Sequence, residues 1–359
     1  MKLYTCSNCR NPLYFENNTC LSCGHTVGFD AGALTLLTLK TINEKEFADI
    51  VRPEAIYRFC ENAQHGVCNW LVPAQQTDPF CRACALNRTI PTLTPENLAR
   101  WKRIEIAKHR LVYSLLNLQL PFHGKEENDD SGIAFDFLSD ISPNEKVMTG
   151  HDNGVITLNI EEADEALRVR HKLDLGERYR TLLGHFRHEI GHYYWDVLIQ
   201  PTPLLKKFRQ LFGDEQHDYS EALKLYYENG APANWMDNFI SPYAAAHPWE
   251  DWAETWAHYF HLMDTVETAY AFGIGIKPVA QNSLQKIKTS INRDPYTVKD
   301  FTVVFNMWIP LTFAINSLNR SMGHDDFYPF VISPAVMAKL QFIHGVCAVT
   351  RLKKPVKVV

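Results

Sequence analysis

Apolar residues recur at Leu98, Trp101, Ile104, Ala107, Leu111, Leu115 and Leu118, a three- and four-residue spacing that predicts one long helix. Thr94 caps it, Pro95 sits at its first position, and the pattern stops before Pro121. Pro91 to Pro95 marks a boundary ahead of that helix, and the polar, acidic run from Gly124 to Gly132 reads as an exposed loop. Ile133 to Leu138 and Val155 to Ile160 have strand character, with turn residues from Gly150 to Gly154 between them. From Glu161 onward the pattern is mainly helical. Leu183, Phe186, Ile190, Tyr193 and Val197 form an apolar stripe, with His185, His188, His192 and Trp195 on a neighbouring face, and Pro201 and Pro203 end it. Pro248 opens a further helix in which Trp249, Trp252, Ala253 and Trp256 share one face while Glu250 and Glu254 stack one turn apart on another. The longest apolar stretch, Phe301 to Ile315, is expected to be too short for a bilayer and contains Asn306 and Pro310.

Composition adds little to this until charge and cysteine are considered. Of 359 residues, 46% are hydrophobic and 21% charged, the make-up of an ordinary globular chain. The net charge of -5 argues against a general grip on nucleic acid, although Arg100 to Arg110 is locally basic. No apolar signal core is read near the N-terminus, so a soluble, cytoplasmic protein without a membrane partner is expected.

Nine cysteines change the picture, because eight of them fall in two groups. Cys6-x-x-Cys9 and Cys20-x-x-Cys23 are paired knuckles, each aiming two thiolates at one ion, with Gly24 after the second. So small a stretch cannot fold on its own apolar burial, and metal would supply its folding energy. Cys60, Cys68, Cys81 and Cys84 form the second group, in which only the last pair is a true knuckle. A loop could bring the first pair onto the same ion, and His65 is a candidate replacement ligand. Two structural zinc sites are expected. Cys347 stands apart in apolar surroundings and reads as a core residue.

The chemistry concentrates at His188-Glu189-Ile190-Gly191-His192. Histidines at i and i+4 share a helix face and can reach a single ion, and Glu189 projects beside it as general base for a bound water. Glu250 is the expected third ligand, with Asp251 and His247 as alternatives, and Glu254 is placed to hydrogen-bond a ligating histidine. His185, one turn before His188, is expected to flank the site rather than ligate.

The segment Glu250 to Trp256 resembles the glutamate helix of gluzincins of the group that includes anthrax lethal factor and Mlc titration factor A. The whole chain resembles a bacterial family of zinc-binding metallopeptidases with an N-terminal zinc ribbon. In the lethal factor group a tyrosine seven residues before the glutamate ligand faces the zinc, and the matching residue here is Tyr243. The resemblance implies that its hydroxyl stabilises an oxyanion; a buried structural tyrosine is the alternative. The fold class expected is α+β: zinc-ribbon modules at 1–30 and 52–90, then a mainly helical zincin-like metallopeptidase domain with a small β-sheet at 95–359. The function expected is hydrolysis of a peptide or protein substrate with one catalytic zinc besides the two structural ones. The strand at Val155 to Ile160 is expected to pair with extended substrate. The competing reading is an inactive zincin fold whose ribbons bind protein or nucleic acid.

Overall fold

The structure, a computed structural model, describes residues 2–128, 130–140, 147–165, 181–279 and 287–352. They fall into two compact units, the first formed by residues up to 165 with 181–186 and the second by residues from 187.

In the first unit, β1 (Tyr4–Thr5) and β2 (Pro12–Leu13) form a small hairpin beneath the first cysteine pair. Five strands follow in one antiparallel sheet, in chain order: β3 (Thr26–Asp30), β4 (Thr35–Thr41), β5 (Phe47–Asp49), β6 (Ile56–Phe59) and β7 (Leu71–Pro73). The apolar stretch from Ala31 to Lys40, which from its place between the two cysteine groups reads as a connector packing on a neighbour, is mostly a strand inside this sheet. Its Leu37 and Leu39 pack with Tyr57 and Leu71, so this strand shares a core with the second cysteine segment. Gly28 is needed in β3, since a Cβ there would lie 2.5 Å from Leu71 Cδ2. Phe15, Phe29, Trp70 and Tyr113 add an aromatic cluster with centroids 4.7–6.2 Å apart.

Helix α1 (Pro95–Leu118) begins as its sequence predicts, with the Thr94 hydroxyl accepting from the Asn97 amide, and ends at Gln119 in the left-handed region. By its contacts it packs within the same compact unit as the cysteine segments. A second sheet has the order β10 (Gly150–Asp152), β11 (Val155–Asn159), β9 (Ala134–Leu138), β8 (Asn87–Thr89). The stretch from Gly150, read as a turn, is a strand up to Asp152, and Asn153 and Gly154 alone turn it, both at positive φ. β11 is paired on both sides, antiparallel to β10 and parallel to β9. The expectation that it pairs with substrate is thereby corrected: its backbone groups are already committed, and β10 forms that edge.

The second unit is helical: α2 (Leu182–Leu198, whose first turns belong to the first unit), α3 (Leu204–Phe212), α4 (Tyr219–Asn229), α5 (Pro248–Ala271), α6 (Phe301–Ser321) and α7 (Pro334–Leu352), with a two-stranded ladder of β12 (Gly275–Ile276) and β13 (Thr289–Ser290). Helix α5 is its core, burying Trp252, Trp256, Tyr259, Phe260, Leu262 and Met263 against its neighbours, α6 and α7 among them. The apolar stretch from Phe301 continues helically to Ser321. At 21 residues α6 is long and apolar enough to cross a membrane, with a third of its most apolar window buried, so the expected shortfall in length does not hold. Cys347 is buried, as its surroundings suggest.

Helices α2 and α5 meet at Gly191. A Cβ on Gly191 would lie 3.0 Å from Ala253 Cα and 3.3 Å from Trp256, and the indole of Trp252 donates to the Gly191 carbonyl at 2.8 Å. Gly191→Ala is predicted to destabilise the protein by about 1–3 kcal/mol through overpacking, read as a lowered midpoint in denaturant unfolding.

Candidate metal centres

The close approach at Gly191 lets His188, about one turn before it, and His192, directly after it, converge with Glu250. His188 and His192 on α2 bring their Nε2 atoms to 3.2 Å, and His188 Nε2 lies 3.0 Å from Glu250 Oε2 on α5. Donor atoms of these three residues all lie within 4.8 Å of one another. Glu250 is 1% exposed, and among the described residues its Oε2 makes no contact of hydrogen-bond length besides this approach to His188 Nε2. A buried carboxylate whose two oxygens face two imidazole nitrogens favours a cation bound among them. The donor set, two imidazoles and one carboxylate, fits a zinc ion with one open position.

Glu254, one turn along α5, accepts from His188 Nδ1 at 2.7 Å, which leaves Nε2 as the atom turned towards Glu250. Ser241 in turn donates to Glu254 Oε2 at 2.6 Å. Burial alone lowers the His188 pKa, yet the carboxylates of Glu250 and Glu254 hold it well above its ordinary value. Burial pushes His192 down to about 4. Burial raises the Glu250 pKa, but the two histidines and a phenol outweigh it and bring it to about 2. The centre is thus built to hold Glu250 as an anion among groups that attract a positive charge.

The alternatives to Glu250 are engaged elsewhere. Asp251 pairs with the buried Lys339 of α7 at 2.6 Å, and Lys339 also donates to the Asn238 carbonyl. His247 caps α5, its Nδ1 accepting from the Trp249 amide while Nε2 donates to the His217 carbonyl. His185 bonds Glu162 at 2.7 Å. Glu189 is buried on the turn that carries His188. Tyr243 lies with its ring centroid 6.0 Å from that of His188. Its phenol makes no hydrogen bond among the described residues, and burial, then Glu250, raises its pKa.

One residue at this centre escaped the sequence: Tyr219, whose hydroxyl donates to Glu250 Oε1 at 2.6 Å. Nothing in its spacing to the histidines signals the contact, which depends on the α4–α5 connection.

The cysteine groups are equally compact. Cys6, Cys9, Cys20 and Cys23 bring their sulfurs within 4.8 Å of one another, as do Cys60, Cys68, Cys81 and Cys84. In the first group the knuckles close through Arg10 N–H to Cys6 O and Gly24 N–H to Cys20 O, both 2.9 Å. In the second, a short 3₁₀ turn from Glu61 to His65, closed by Gly66 in the left-handed region, returns Cys68 towards Cys60. His65 is no part of this group; its ring lies 5.8 Å from that of Trp101. His109 of α1 approaches instead, its Nε2 3.3 Å from Cys68 Sγ and 3.7 Å from Cys84 Sγ, with Nδ1 donating to the Glu105 carbonyl. Glu105 and Lys108, both fully buried, form an ion pair of 3.0 Å beside it. The helical pattern placed Lys108 and His109 on α1 but gave no reason to join them to cysteines more than twenty residues away.

Comparison with known proteins agrees with this arrangement. A family model for zinc-ribbon domains matches residues 3–95, and the model described as "Putative zinc-binding metallo-peptidase" matches residues 97–346. The chain carries an N-terminal zinc ribbon and belongs to that metallopeptidase family. It is 42% identical over 348 residues, 96% of this chain and 95% of theirs, to uncharacterized proteins of Mycobacterium tuberculosis and Mycobacterium bovis. No solved structure matches it, so the likeness to lethal factor and titration factor A rests on the motif residues alone.

Glu254→Ala frees the His188 imidazole to rotate and is predicted to weaken zinc at the histidine site by about 10–100-fold. Competition with a chromophoric chelator measures this, and an unchanged affinity contradicts the role of Glu254.

Proposed function

We propose that the chain is a zinc-dependent peptidase whose catalytic zinc is held by His188, His192 and Glu250. The observation that carries this reading is the buried Glu250 carboxylate facing both histidine nitrogens, Oε2 at 3.0 Å from His188 Nε2 and Oε1 at 3.7 Å from His192 Nε2, with Glu189 on the same helical turn as His188. A zinc ion held there would supply the means to lower the pKa of a water and to polarise a carbonyl. Glu189 takes a proton from the attacking water and delivers it to the amide nitrogen as the carbon–nitrogen bond breaks. Tyr243 donates to the carbonyl oxygen as negative charge develops on it, a role supported by its position beside His188 and by its protonated state. Glu254 keeps the His188 Nδ1 proton in place, so that Nε2 stays free for the metal.

The two cysteine groups each hold one structural zinc in this reading, giving three per chain. The net charge of -5 gives no general attraction for nucleic acid.

Glu189→Ala tests the reading. It is predicted to keep its zinc while losing at least about 100-fold in hydrolysis of a quenched-fluorescent peptide library, since a positioned base contributes that much. Hydrolysis at the wild-type rate would rule Glu189 out as the base.

A further inference from the structure

Tyr219 treats the two oxygens of Glu250 differently. Its hydroxyl donates to Oε1 at 2.6 Å, an oxygen that lies 3.7 Å from His192 Nε2, while Oε2 lies 3.0 Å from His188 Nε2. The phenol is held firmly. Tyr219 opens α4, whose first turn is fixed by Asp218 accepting from the Glu221 amide. Its ring packs edge-on against His247 at 5.2 Å and lies 5.8 Å from Trp249, the two residues flanking the start of α5. These contacts tie the hydroxyl to the turn that carries Glu250 itself.

A carboxylate beside a divalent ion can offer one oxygen or two. Using both fills a coordination position that a hydrolytic site needs for water. We propose that Tyr219 is a positioning residue that reserves Glu250 Oε1 for itself, so that Glu250 gives the metal one oxygen and the remaining position stays open to water. This rests on the metal site described above and goes beyond it, since neither the zinc-binding motif nor the glutamate helix contains Tyr219. Tyr243 is distinct in kind: it lies by His188 and makes no hydrogen bond to Glu250 among the described residues.

The test uses the full chain with cobalt(II) replacing zinc, comparing wild type, Tyr219→Phe and Tyr243→Phe. Each spectrum is taken as a difference against His188→Ala loaded in the same way, which removes the thiolate sites. Tyr219→Phe keeps the ring contacts with His247 and Trp249, so folding is expected to survive; the unfolding midpoint of each protein checks this. The expected result is a loss of the intense four-coordinate cobalt bands in Tyr219→Phe towards the weaker absorption of higher coordination. A change in zinc affinity by chelator competition of about 10–100-fold should accompany it, as for other groups that orient ligands. Tyr243→Phe should leave the cobalt bands in place. A Tyr219→Phe protein with wild-type bands and wild-type zinc affinity overturns the proposal, even where its unfolding midpoint falls, because the tyrosine is then structural only. Wild-type cobalt bands that His188→Ala leaves unchanged would overturn the metal site itself, and this inference with it.

Discussion

The contact of Gly191 with the Ala253–Trp256 turn is the constraint on which the histidine centre depends. An α-helix carries side chains on every face, and two helices approach closely only where one side chain is absent. Here the gap falls within the histidine motif, between the two imidazoles. The Trp252 indole also donates to the Gly191 carbonyl, which fixes the sliding of one helix along the other. With that register set, Glu250 and Glu254, one turn apart, meet His188 through different nitrogens: one carboxylate faces Nε2 and the other bonds Nδ1. A shift of one turn, about 5.4 Å, would separate Glu250 from both histidines.

Burial raises the stakes of this geometry. A nearly inaccessible carboxylate costs several kcal/mol unless opposite charge and hydrogen bonds compensate it. Tyr219, the two histidines and the tryptophan-rich wall around α5 are arranged around that one anion. Asp251 poses the same problem one residue on and meets a different solution, the buried ammonium of Lys339. The second cysteine group shows a third version, in which four thiols are backed by His109 and by the Glu105–Lys108 pair of α1. In that unit a helix contributes charged residues to a site whose sulfurs come from loops, which accounts for α1 sharing a unit with the cysteine segments.

Features written in local spacing were legible in the sequence. The start of α1 at Pro95, the α2 and α5 helices, the paired knuckles and the candidate set of His188, His192, Glu250 and Glu254 each follow from residues a few positions apart. The family likewise followed from motif residues. What was not legible depends on long-range pairing. β4 read as a connector because its partners, β3 and β5, become visible only once the sheet forms. β11 read as a substrate edge because alternation along a strand says nothing about how many neighbours it has. His109 and Tyr219 escaped for the same reason: each serves a site through a tertiary contact, 25 residues from Cys84 and 31 residues from Glu250.

Zinc per chain, measured by elemental analysis on wild type and His188→Ala prepared in parallel, tests the central claim most directly. The account predicts three zincs falling to two, with the cysteine sites undisturbed. An unchanged count in His188→Ala would contradict it, since the histidines and Glu250 would then converge on no metal.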